Sequence, residues 1–139
     1  MPRLFIAAAC LSGIVGCGES HSVAQVRGKV VGKNGALPSA SIRVVRFEPA
    51  ADSNAAVRKG ASGSINDDGS FELFTRRPGD GVHMGKYAVT FAFYRSATDQ
   101  KSLVSAKYTK PATTPYQVVV DKDIDDLEFE IEPLGTSAP

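Results

Sequence analysis

GSINDDGSFELFTRRPGDGVHMGKYAVTFAF, residues 63–93, reads as strand, tight turn, strand, glycine-rich loop, strand. Asp67-Asp68-Gly69 is the turn, because glycine takes a positive φ without steric cost and aspartate bonds its own backbone. It separates Ser64-Ile65 from Phe71-Glu72-Leu73-Phe74, with Ile65, Phe71 and Leu73 as expected core. Pro78-Gly79 and Asp80-Gly81 are two further turn signals, and a long alternating strand follows over 86–95. There Tyr87, Val89, Phe91 and Phe93 alternate with Ala88, Thr90, Ala92 and Tyr94, so the bulkier face is expected to point inward.

Working outward, residues 25–31 (QVRGKVV) form a first strand with Val26, Gly28 and Val30 on one face, closed by a turn at Asn34-Gly35. Residues 41–48 (SIRVVRFE) form a second, in which the apolar phase switches between Val44 and Val45. Either both faces are partly covered or a bulge lies there. Residues 50–61 have no strong period and read as a loop. Residues 116–120 (YQVVV) form a sixth strand. Residues 126–132 (DLEFEIE) form the last, with Leu127, Phe129 and Ile131 inward and the carboxylates outward. The stretch 96–115 is a long connection for a compact domain, so it is expected to be functional or to have structure of its own. Leu103, Val104 and Tyr108 are placed to tack it down, and Pro111 and Pro115 bar a helix through its end. Seven short strands at this spacing predict an all-β sandwich of two sheets.

The first residues stand apart from this pattern. Arg3 precedes a 12-residue apolar run, LFIAAACLSGIV (4–15), too short to span a bilayer and suited to a signal peptide. It ends Ile14-Val15-Gly16-Cys17, which resembles the bacterial lipoprotein signal. The resemblance implies cleavage after residue 16 and lipidation of Cys17, and hence an exported domain anchored to the cell envelope. Two or more acyl chains, at about 0.8 kcal/mol per buried CH₂, hold where one does not. Residues 17–24 then comprise the lipidated cysteine and a short polar tether, the sandwich occupies 23–133, and 134–139 is a tail.

Composition narrows the function. The 139 residues suffice for one domain, and a 42% hydrophobic share supports a packed core. Lys and Arg number 16 and Asp and Glu 15, so no field of one sign steers nucleic acid. With Cys10 in the removed leader, Cys17 is the only mature cysteine, and packing alone must hold the fold.

Val26-x-Gly28-x-Val30, then Leu37-Pro38-x-Ala40-x-Ile42-x-Val44, Asp67-x-Gly69-x-Phe71-x-Leu73 and Gly85-Lys86-Tyr87-x-Val89-x-Phe91, in that order, resemble the carboxypeptidase regulatory-like domain. This is the transthyretin-like, or prealbumin-like, sandwich. Lys107-Tyr108-Thr109-x-Pro111-x-Thr113-Thr114-Pro115 and Leu127-x-Phe129-x-Ile131 are similar to small bacterial lipoproteins that carry it. The resemblance implies a seven-stranded Greek key and an accessory or binding role, with no shared catalytic residues.

The remaining constellations are weak. Asn66, Asp67, Asp68 and Asp80 stand too close together for a calcium loop, which draws six to eight oxygens from alternate positions. His21 and His83 have no partner at zinc-ligand spacing. No Gly-x-Ser-x-Gly elbow is present. No enzyme activity, metal or cofactor is expected. A transthyretin-like hydrolase would need a C-terminal Tyr-Arg-Gly-Ser, and this chain ends Leu134-Gly135-Thr136-Ser137-Ala138-Pro139. An isopeptide crosslink between Lys29 and Asp126 would need both inward, and strand phase puts both outward. A binding or structural module remains, with an envelope protein or a glycan as partner. Arg95, Lys101, Lys107, Tyr108 and Lys110 are the candidate contacts, with Tyr94, Tyr108 and Tyr116 as the rings a glycan would use.

Overall fold

The computed structural model describes residues 22–134. The signal segment 1–16, Cys17, the tether as far as residue 21 and the tail beyond 134 lie outside the described residues. Within them the chain forms nine strands and no α-helix. These are β1 (Val23–Ala24), β2 (Val26–Gly32), β3 (Ile42–Pro49), β4 (Ala61–Ser64), β5 (Ser70–Glu72), β6 (Val82–His83), β7 (Gly85–Tyr94), β8 (Gln117–Val120) and β9 (Ile124–Ile131). Two sheets face each other, one ordered β4-β3-β7-β8 and the other β5-β2-β9. A small β1-β6 ladder closes one end. The result is a small all-β, sandwich-like domain. The two strands beyond the expected seven are β1 and β6, each only two residues long and too short to show a period.

The turn at 67–69 forms and its arms stay bonded, Asn66 N to Ser70 O at 2.9 Å and Ser62 with Phe74 at 3.0 Å each way, but the two strands belong to different sheets. Gly69 N donates to Asn66 O at 2.9 Å, and Asp68 Oδ1 accepts from Ser70 N at 2.9 Å. β4 forms its ladder with β3, whereas β5 forms its ladder with β2 in the opposite sheet. The turn is therefore an arch between layers. The apolar faces on either side of it must look at each other across the core, which a hairpin within one sheet would not achieve.

Period-two patterning places the core. Val45, Phe47, Phe71, Tyr87, Val89, Phe91, Phe93, Phe129 and Ile131 are all buried. The phase switch in β3 is not a bulge, since the β3–β7 register runs unbroken from Ile42↔Tyr94 to Pro49↔Tyr87. Val45 and Phe47 point into the core, and Ile42 and Val44 are half-buried on the other face. That other face is covered along β7 too, where Ala88, Thr90 and Ala92 are each 3% exposed. Small side chains there are overshadowed by longer neighbours such as Glu48, whose carboxylate accepts from Thr90 Oγ1 at 3.2 Å.

Phe129 is the joint between the layers. Its ring lies 6.3 Å from Phe47, 5.7 Å from Phe91, 6.1 Å from Phe71 and 5.1 Å from Tyr116, centroid to centroid. Offset and edge-on pairs at these separations add to the area term, which is about 1.5–3 kcal/mol for each large apolar side chain. Gly28 lies inward between Val26 and Val30 because there is room for nothing larger: a Cβ there would stand 2.6 Å from Leu127 O and 2.8 Å from the Phe71 ring.

β9 begins two residues earlier than its alternation suggests. Val26 aligns with Ile124 and Gly28 with Leu127, so Asp125 and Asp126 together oppose Arg27 in a bulge. From Leu127 onward the inward set is as the pattern predicts. β2 and β9 run parallel, the first and last long strands lying side by side.

Candidate functional site

The strand directions give the domain two distinct ends. Ser22 O accepts from Met84 N at 3.3 Å, beside the first residue of β7. Arg95 follows the last residue of the same strand, ten residues and about 33 Å away. The stretch 95–115, from which all five candidate contacts come, starts at the end remote from Ser22 and runs back along β7 as far as Val89.

That stretch is not a free loop. Leu103 N donates to Phe93 O at 2.9 Å, Ser105 N to Glu132 O at 3.1 Å and Leu134 N to Leu103 O at 2.8 Å, with Val104 bridged to Pro133. One 3-10 turn follows, Ala106–Thr109. Side chains stabilise what the two prolines prevent from becoming a longer helix: Thr113 Oγ1 donates to Lys107 O at 2.9 Å and the buried Thr114 Oγ1 to Val89 O at 2.5 Å. Val104 is 0% exposed, and Tyr108 drops into the core, edge-on to Phe91 and stacked on Tyr116.

The five residues therefore divide. Tyr108 is 4% exposed, so it packs the core and offers no ring to a partner. Lys107 sits over the face of the neighbouring Tyr108, 5.0 Å from the centroid, and donates to Glu132. Arg95, Lys101 and Lys110 are exposed, and none has an ion-pair partner among the described residues. Of the three rings considered for a glycan, Tyr108 is buried and Tyr94 half-buried. Tyr116 packs against Phe129, while its hydroxyl both donates to Glu130 O and accepts from Glu130 N.

Glu132, one of the outward carboxylates of the last strand's pattern, ties this end together. Its Oε1 accepts from Lys33 Nζ at 2.9 Å and from Lys107 Nζ at 3.3 Å. Hydrogen bonds from Lys33 and Lys107 hold its carboxyl below the ordinary range, and the bond to Glu132 raises both lysines. A depressed carboxylate stabilises the fold above its unfolded-state pKa and loses that contribution as pH falls through its folded value. The raised lysines contribute fully below their unfolded-state value and lose the contribution as pH rises through the folded one. All three groups are solvent-exposed, so salt screens them. Glu132→Gln is accordingly expected to flatten the acid limb of the Tm-against-pH profile at low ionic strength, and about 1 M salt to erase most of the difference. A difference from the wild type that stays constant across pH would show that the triad carries no linkage.

The acidic turn residues are each engaged by the protein itself. Asp67 pairs with Arg43, and Asp68 holds Ser70 through both amide and hydroxyl. Asp80 accepts from the backbone amides of Thr75, Arg76 and Arg77 at 2.8–3.0 Å, which lowers its pKa, the Arg77 bond most of all. These carboxylates cap turns, which their positions in the sequence already suggested. Lys29 and Asp126 both lie exposed, on outward faces. Among the described residues, no three His, Cys, Asp or Glu side chains are grouped to hold a metal ion. A cleft of about 250 Å³ near Ser22 is lined by Ala56, Val57, His83 and Met84 and is mostly apolar. Burial and His83 O, which accepts from the Tyr87 hydroxyl at 2.6 Å, account for the nearby phenol, and burial raises its pKa.

Compared with protein-family models, with curated proteins and with solved structures, the chain finds no match.

Proposed function

We propose that the mature chain is a lipid-anchored cell-envelope domain that serves as a non-catalytic binding module, its binding rim being the stretch 95–115. One observation carries this reading: Arg95, Lys101 and Lys110 stand exposed and unpaired on a segment that Tyr108 and Val104 pin into the core. The backbone beneath these cations is already fixed, so an acidic partner has only their side chains to order. The leader pattern ending in Cys17 supports the anchor. Two facing sheets, with the first and last long strands adjacent and parallel, support a transthyretin-like Greek key. The glycan alternative is weaker, because packing claims Tyr108 and Tyr116.

Two measurements test the reading separately. Cys17→Ser is expected to release the protein from membranes; continued fractionation with membranes would sink the anchor. Reversing Arg95, Lys101 and Lys110 to Glu is expected to abolish the main crosslink formed by the anchored protein in intact cells. An unchanged crosslink pattern, in a variant that melts like the wild type, would remove the rim from consideration.

A further inference from the structure

Four strand edges bound the two sheets, and the chain treats them differently. The outer edges of β4 and β5 close on each other: Ser62 and Phe74 exchange bonds, 3.0 Å each way, and Asn66 N donates to Ser70 O at 2.9 Å. The outer edge of β9 is closed at Glu130 by the Tyr116 hydroxyl and beyond it by the pairing of 103–105 with 132–134. The part of β9 left open carries Asp126 and Glu128, and a row of like charges discourages another strand from adding there.

β8 has none of these protections. Val89 N donates to Tyr116 O at 2.9 Å, so alternation along the β7–β8 ladder turns the amides and carbonyls of Gln117 and Val119 away from β7. No hydrogen-bond partner meets them among the described residues. Val119 is also 59% exposed, more than any other large apolar side chain described. An open edge bearing a bare valine is a template for a further strand.

We propose that β8 pairs antiparallel with β8 of a second copy of this chain, making one continuous sheet across a twofold axis. The sequence selects the register. Centred on Val119, the two Val119 residues form a hydrogen-bonded pair, Val118 faces Val120 of the second copy, and Gln117 faces its Asp121. No like charges meet in this stretch. Sliding the centre to Gln117 sets Pro115, which has no N–H, opposite Val119. Sliding it to Asp121 sets Asp121 against itself and Val119 against Asp123, which places like charges directly across the ladder. Such an interface is isologous and closes on itself, so it ends at a dimer.

The test uses the full mature-length chain carrying Cys17→Ser, which removes the lipid and the only thiol. Sedimentation equilibrium is expected to show a monomer–dimer equilibrium, and Val119→Lys to weaken it at least tenfold. Val119 is exposed, so that variant should keep the wild-type melting profile. Val119→Cys is expected to form an interchain disulfide on mild oxidation, since facing Cα atoms of a bonded pair lie about 5.5 Å apart. Glu128→Cys, on the charged edge, is expected not to. A chain that stays monomeric at every concentration, a dimer indifferent to Val119→Lys, or equal crosslinking at residues 119 and 128 would each overturn the proposal.

Discussion

Phe129→Asp is expected to leave the chain without a cooperative unfolding transition. The ring is 4% exposed and touches Phe47 and Phe91 from one sheet and Phe71 from the other, so its loss opens a void between the layers. Truncating a buried Phe to Ala costs about 3–5 kcal/mol, against about 5–15 kcal/mol for an entire domain. An aspartate adds a buried charge with no partner, which costs more still. Phe129→Ala supplies the graded comparison: it should fold, with a denaturation midpoint well below that of the wild type. An Asp variant melting near the wild-type temperature would mean that this ring does not join the sheets.

Gly69→Ala is expected to cost about 2–5 kcal/mol, large for the addition of one methyl group. Gly69 has φ +88°, which strains any L side chain. It also lies against β2: its carbonyl accepts from Val30 N at 2.8 Å, and a Cβ would stand 2.3 Å from Val30 O. Gly35 provides the control, with φ also +88° but nothing within 4 Å of a Cβ. Gly35→Ala should therefore show the backbone strain alone, about 1–2 kcal/mol. Equal losses at the two sites in denaturant melts would show that the arch does not press on β2.

These two residues also show how far the chain could be read unaided. Phe129 was legible because alternation over 127–131 fixes which side chains point inward, and only burial on one face produces that pattern. Gly69 was legible as a turn but not as an arch. Turn chemistry is local and serves a hairpin and a crossover equally, whereas the choice of partner sheet depends on strands distant in sequence. The same limit hid β1 and β6, whose two residues each cannot display a period. It also hid the Asp125-Asp126 bulge, where the count of residues slips against a neighbour that the pattern does not name. At the candidate rim, Arg95, Lys101 and Lys110 were found from charge alone. Tyr108 had two readings, a fastening for the segment and a contact for a partner, and no period exists in 96–115 to choose between them. Glu132 and the open edge of β8 had no sequence signal, because each is defined by what lies beside it.

The adjacency of β2 and β9 has a consequence for how the molecule is made. Gln25 N donates to Asp123 Oδ1 across 98 residues, and Ile124 N to Gln25 O beside it. A nascent chain can set β5 against one edge of β2 early, but the other edge has no partner until the last strand is finished. Contacts so far apart in sequence make for slow closure. The sheet β5-β2-β9 is therefore complete only when synthesis ends. The same delay leaves that edge of β2 open to stray pairing meanwhile.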